Sequence, residues 1–137
     1  MTKRFLGIDF GLKRTGLAIT DENNIIASGL TTVNTPELMD FLKETVPSKN
    51  IGTIVLGEPK RLNMEDSHSS ANVRLFKEAL EKEFPDLQIV LMDERFTSKI
   101  AMQSLVLGGV SKKKRQNKEL IDEVSATLIL QGYMAGR

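Results

Sequence analysis

The chain has 137 residues, 40% hydrophobic and 27% charged, with a formal net charge of +1. That length suits a single domain, residues 1–137, able to bury a real hydrophobic core. With no cysteine and one histidine, disulfides, thiolate sites and multi-histidine zinc sites are excluded, so a metal site here is made of oxygens and favours magnesium, manganese or calcium. No apolar run approaches the roughly 20 residues that span a bilayer. No signal-peptide pattern precedes the first strand. The charge is unevenly spread: Lys112, Lys113, Lys114 and Arg115, with Lys118, form a basic run, and the acids lie elsewhere.

The first element reads as a buried strand over residues 4–9. Phe5, Leu6 and Ile8 run into Asp9, and Gly7 and Gly11 flank that aspartate. A carboxylate ending a buried strand is costly unless it meets a cation, a donor or a ligand. The two glycines remove side chains from beside it, so a backbone or a ligand can approach. Asp9 is therefore the expected centre of the chemistry. The alternative is a turn residue satisfied by nearby backbone amides.

Residues 15–20 read as a second strand, 21–24 as a polar turn and 25–33 as a third strand, giving an antiparallel meander. A helix follows, with Thr35 as N-cap, Pro36 at its first helical position, and Leu38, Met39, Phe41, Leu42 and Val46 on one face. The unbroken apolar centre of residues 51–57 predicts a fourth strand buried on both faces. It runs into Glu58, Pro59, Lys60 and Arg61, then a polar loop to about residue 70. The next helix carries Val73, Phe76, Leu80 and Phe84 on one stripe and ends at Pro85. Residues 87–92 predict a fifth strand, stopping at Asp93, Glu94 and Arg95. Thr97 caps a shorter helix through Leu107, broken by Gly108 and Gly109. The last helix covers about residues 117–135.

The order β-β-β-α-β-α-β-α-α implies an α/β fold with a five-stranded mixed sheet, three antiparallel strands then two parallel ones, flanked by helices. Sites in such sheets gather beyond the carboxyl ends of the strands. Asp9, Glu58, Asp93 and Glu94 all stand at such ends. In the last helix Asp122 shares a face with Ala126 and Ile129, so Asp9, a fifth-strand acid and Asp122 are candidates for an all-oxygen cluster. Divalent cations relieve the repulsion within such a cluster, and pairs of them support phosphodiester cleavage. Each acid has a plainer reading: Asp122 complementing a helix dipole, Asp93 to Arg95 an ion-pair corner, Glu58 a solvated loop residue. His68 reads as a polar helix start. The basic run is either a solvated loop or a phosphate-binding one.

Four segments together resemble the YqgF/RuvX family: residues 7–18, read GIDFGLKRTGLA; residues 93–98, read DERFTS, with Ala101 after them; residues 118–133, read KELIDEVSATLILQGY; and, more loosely, residues 55–64. The resemblance implies a ribonuclease H-like fold related to Holliday-junction resolvases, and a cytoplasmic nuclease maturing the 5′ end of 16S ribosomal RNA. By position it places Asp9, Glu94 and Asp122 on the acidic site holding Mg2+ or Mn2+, with Asp93 and Glu58 as secondary candidates. Glu94 is preferred over Asp93 because adjacent strand residues point to opposite faces. Lys13, Arg14, Lys60, Arg61, Arg95 and the Lys112–Arg115 run would steer the nucleic-acid backbone. Two departures stand out: Glu58 occupies a position more usually apolar, and residues 65–68 lack a glycine common there.

The expected partners are precursor ribosomal RNA or branched DNA, with ribosomal particles, no membrane, and a monomer or homodimer. A Holliday-junction resolvase and a non-catalytic nucleic-acid-binding module are the alternatives. An actin-like or sugar-kinase-like nucleotide binder shares the Asp-x-Gly turn, but those enzymes close two such domains around their nucleotide.

Overall fold

The computed structural model describes residues 3–58, 68–93 and 118–136. Five strands, β1 (Arg4–Asp9), β2 (Arg14–Thr20), β3 (Ala27–Asn34), β4 (Ile51–Glu58) and β5 (Gln88–Asp93), form one sheet in the order β3-β2-β1-β4-β5. The pairs β1–β2 and β2–β3 are antiparallel, and β1–β4 and β4–β5 are parallel. This is the sheet that the element order implies. Among the described residues the helices are α1 (Leu38–Ser48), α2 (His68–Glu83) and α3 (Lys118–Gly136). The expected helix from Thr97 to Leu107 lies outside the described residues.

Strand alternation divides the core. Leu6, Ile8, Leu17, Ile54 and Leu56 pack with Leu42 of α1 and with Val73 and Leu80 of α2. The residues between them, Ala18 and Val55, pack with Ala126, Ile129 and Leu130 of α3. Strand β4 is thus buried on both faces, as its apolar run predicts. The stripe on α2 is also as expected, with Val73 and Leu80 fully buried and Phe76 and Phe84 packed against the core.

Most element ends fall within one residue of the sequence reading, and two larger differences have a local reason. Strand β3 begins at Ala27 rather than residue 25, because the turn before it is longer. The Asp21 carboxylate accepts from the Ile25 and Ile26 amides at 2.6 and 2.9 Å, and Asn24 adopts φ 56°, a left-handed conformation that asparagine tolerates. Ile25 and Ile26 are consequently exposed. The second difference concerns Thr35, which does not cap α1. A 3-10 turn (Thr35–Glu37) precedes that helix, and its N-cap, Asn34, makes no side-chain cap bond.

Candidate active site at the carboxyl ends of the strands

Asp9 is the last residue of β1, paired in register with Gly16 of β2. Its neighbours Ile8 and Phe10 belong to the α1/α2 side, where Phe10 stacks on Phe76 with ring centroids 4.9 Å apart. Alternation therefore puts Asp9 on the opposite face, with Phe5 and Gly7, toward α3. It is half-buried there.

The approach of α3 to that face depends on Gly7. A Cβ at Gly7 would lie 2.8 Å from the Ala126 carbonyl oxygen and 2.9 Å from Leu130 Cβ. The close approach expected beside Asp9 is thus made, at Gly7, by the α3 backbone. One step further back, Phe5 meets Tyr133 edge-on at 5.5 Å. Advancing along β1 from Phe5 to Gly7 therefore moves from the end of α3 toward its start. Two more strand residues, about 6.6 Å, equal about four residues of helix rise. That brings the stretch about four residues before the Ala126–Leu130 contact, roughly residues 122–126, level with Asp9.

On the other flank Ile8 pairs with Leu56, and the parallel ladder continues into β5, where Glu58 pairs with Asp93 at the last register position. Three acidic positions on three adjacent strands thus end at one edge of the sheet. For Glu58, Asp93 and Asp122 the backbone alone is described, and Glu94 lies outside the described residues. Among the described residues no three acidic or histidine side chains form a metal-binding group. The donor chemistry nonetheless suits a hard cation, because the acids contributed by β1, β4, β5 and α3 offer only carboxylate oxygens.

The turn leaving Asp9 is held from outside. Thr35 Oγ1 donates to the Gly11 carbonyl oxygen at 2.6 Å and lies 2.9 Å from Thr15 Oγ1. The Thr35 amide donates to the Lys13 carbonyl oxygen at 2.9 Å. Gly11 itself has no room for a side chain, since a Cβ there would collide with the Arg14 carbonyl oxygen. Lys13 is exposed and Arg14 half-buried, and both follow Asp9 within five residues across the β1–β2 connection. Of the other basic candidates, Lys60, Arg61, Arg95 and Lys112 to Arg115 lie outside the described residues. Sequence reading takes Thr35 for a helix cap because a threonine before proline has that signature. Its bonds to a turn some twenty residues earlier carry no local signal.

Ser125 is a further residue that pattern reading passes over. It is buried on α3, three residues past Asp122, and its Oγ has no hydrogen-bond partner among the described residues.

Comparison with known proteins agrees with this architecture. The family described as RuvX, Holliday junction resolvase, matches residues 3–136. A protein of Flavobacterium johnsoniae named "Putative pre-16S rRNA nuclease" is 48% identical over 134 residues, covering 98% of this chain and 97% of its own length. A protein of Phocaeicola vulgatus with the same name is 47% identical over 134 residues, covering 98% and 96%. Among solved structures, Thermus thermophilus RuvC in complex with a Holliday junction substrate superposes with a TM-score of 0.58 at 14% identity, over 97% of this chain and 95% of that one. The fowlpox virus Holliday junction resolvase gives a TM-score of 0.55 at 11% identity, over 98% and 99%. At those identities the likeness shows the fold, which is the ribonuclease H-like fold of the resolvases. The chain belongs to the RuvX family.

Proposed function

We propose that this protein is a nuclease hydrolysing phosphodiester bonds, acting in maturation of the 5′ end of 16S ribosomal RNA. The observation that carries the reading is the position of Asp9: it ends a buried strand, pairs with Gly16, follows the Ile8–Leu56 pair, and belongs to the sheet face that α3 covers. Relatives named as pre-16S rRNA nucleases over nearly the whole chain support the substrate class.

In this reading Asp9, Glu94 and Asp122 hold Mg2+ or Mn2+ through carboxylate oxygens, with Asp93 and Glu58 as supporting acids. Bound there, a divalent cation would supply Lewis acidity toward the phosphodiester. The chain's own contribution is to place the acids and the strand to be cut. Phe10, stacked on Phe76, and Thr35, bonded to Gly11, fix the backbone on the far side of Asp9. Lys13 and Arg14 draw the phosphates toward that point, aided by Lys60, Arg61, Arg95 and the Lys112–Arg115 run. The proposed setting is cytoplasmic, among ribosomal precursor particles.

Asp9→Asn tests the reading. Losing an outer-shell partner of a metal ligand costs about 10–100-fold, so losing a ligand itself should lower cleavage more than about a hundredfold while RNA binding persists. The assay compares a precursor-rRNA leader with a four-way DNA junction, each with magnesium and with manganese. Preferred cleavage of the junction would transfer the activity to branched DNA. Undiminished turnover by Asp9→Asn would refute the assignment of Asp9.

A further inference from the structure

Three residues beyond Asp9, Leu12 is 64% exposed at the tip of the β1–β2 turn. A single exposed leucine is ordinary. Here, however, it forms one wall of a shallow groove of about 440 Å³ whose remaining lining is Lys13, Asn34, Pro36 and Glu37. The groove has two apolar surfaces, Leu12 and Pro36, and three polar groups of distinct kinds. Lys13 donates only, Glu37 when ionised accepts only, and Asn34 does both. Three residues of chain reach at most about 11 Å, so the groove adjoins Asp9.

The groove is also preformed. Its two sides, the Leu12–Lys13 tip and the Asn34–Glu37 segment, are joined by the Thr35 bonds to Gly11 and Lys13 and by the register pair Arg14–Asn34. These bonds use backbone and the Thr35 and Thr15 hydroxyls, so none of them occupies the side chains of Leu12, Lys13, Asn34 or Glu37.

We propose that this groove is a nucleobase subsite, which takes one unpaired base of the nucleic-acid strand next to the phosphate to be cleaved. The inference rests on the nuclease reading for the identity of that strand. The base lies against Leu12 and Pro36, its phosphate faces Lys13, and its polar edge meets Asn34 and Glu37. An ionised carboxylate accepts from an exocyclic amino group, as it does from cytosine N4. Uracil carries no such group, so the subsite favours cytosine over uracil. Apolar burial is non-directional and makes no hydrogen bond to a base edge, so it does not tell one base from another. Leu12 therefore supplies affinity and Glu37 supplies selection.

The test uses fluorescence anisotropy of the full chain with labelled single-stranded oligocytidine and oligouridine, without divalent metal so that neither is cut. The wild type is expected to bind oligocytidine about tenfold tighter. Leu12→Ala should weaken both about tenfold, as expected for losing the burial of part of a leucine side chain. Glu37→Ala should erase the preference and leave oligouridine binding no weaker. Ile25→Ala, at the exposed turn on the opposite end of the meander, should change neither. Thermal melts establish that each variant is folded. Equal binding of the two oligomers by the wild type, wild-type affinity in Leu12→Ala, or an unaltered preference in Glu37→Ala each overturns the subsite. The two readings separate cleanly. Cleavage of the rRNA leader by a protein that shows no base preference removes the subsite and leaves the nuclease. Base-selective binding by a protein that cuts neither substrate removes the nuclease and leaves the subsite.

Discussion

The two faces of the sheet are packed by residues of different size. Toward α1 and α2 the strands present Leu6, Ile8, Leu17, Ile54 and Leu56, all essentially inaccessible to water. Toward α3 they present Gly7, Ala18, Ala27, Gly29 and Val55, with the larger Phe5 and Met92 only partly buried there, and α3 answers with Ala126. Large side chains bury area and stabilise, at roughly 25 cal/mol per Å² of apolar surface. Small ones contribute little area but let a helix backbone come within contact of a strand. The first face holds the fold together, and the second sets the distance between α3 and the end of β1. Asp9 belongs to the second face. Stability and activity are therefore separable by face.

The largest expected loss of stability comes from the first face. Leu42 of α1 is fully buried in that cluster, and Leu42→Ala removes contacts and leaves a cavity, costing about 2–5 kcal/mol. Denaturant unfolding measures it. The turnover of the protein that remains folded should match the wild type. A fall in turnover beyond the folded fraction would break the separation of the faces.

Gly7→Ala attacks the second face. One methyl group there meets backbone oxygen and a helix Cβ, neither of which yields as a flexible side-chain end does. Helix α3 has to move outward, at about 1–3 kcal/mol for an overpacked contact. The distinctive outcome is catalytic: cleavage should fall tenfold or more, on kcat, in a protein still folded at the assay temperature. Stability lost with turnover intact would mean that the spacing of α3 from β1 does not set the site.

These two variants also show what pattern reading can and cannot reach. Alternation and apolar runs carry the strands because each strand buries residues at period two, as Ile54 and Leu56 do on one face with Val55 between them on the other. Asp9 is legible because a carboxylate ending such a run needs an explanation. Gly7 is legible as a point of close approach, but its partner is not, since α3 lies more than a hundred residues away in sequence. Residues 25 and 26 look like strand because they are two isoleucines, whereas Asp21 draws their amides into a turn. The pairing of Glu58 with Asp93 depends on the register of a parallel ladder, which hydrophobic pattern does not fix to one residue.

A smaller effect is expected at the turn that carries the groove. Thr35→Val keeps shape and branching but removes the hydroxyl that serves Gly11 and Thr15. Loss of such bonds costs about 1–2 kcal/mol. The turn then loosens beside Asp9, and cleavage should weaken about five- to tenfold, mainly through KM. Thr35→Ser retains the hydroxyl and should restore KM. If the serine and valine variants behave alike, the hydroxyl bonds do not position the turn.

The smallest effect belongs to the far end of the meander and sets the lower bound of the comparison. The Asp21 carboxyl is held below its ordinary 3.8, first by the Ile26 amide and next by the Ile25 amide. A carboxyl lowered on folding contributes stability that is fully present above its unfolded value and fades as pH falls through the lower folded value. Asp21→Ala should therefore melt slightly earlier than the wild type at neutral pH, with the difference shrinking in acid below pH 3.8. Asp21 lies in a surface turn, so solvent screening keeps the effect small. Cleavage should not change, because the Asp21 carboxylate serves amides of its own turn, and the turn's bonds to other segments, Asn24 to Lys3 and Glu22 to Arg4, reach the start of β1 rather than its Asp9 end. At the other end of the sheet, Thr35 reaches from a separate segment to brace the turn beside Asp9. A drop in cleavage by Asp21→Ala equal to that of Thr35→Val would show that the meander moves as one body, and that bracing from outside confers nothing special on the site.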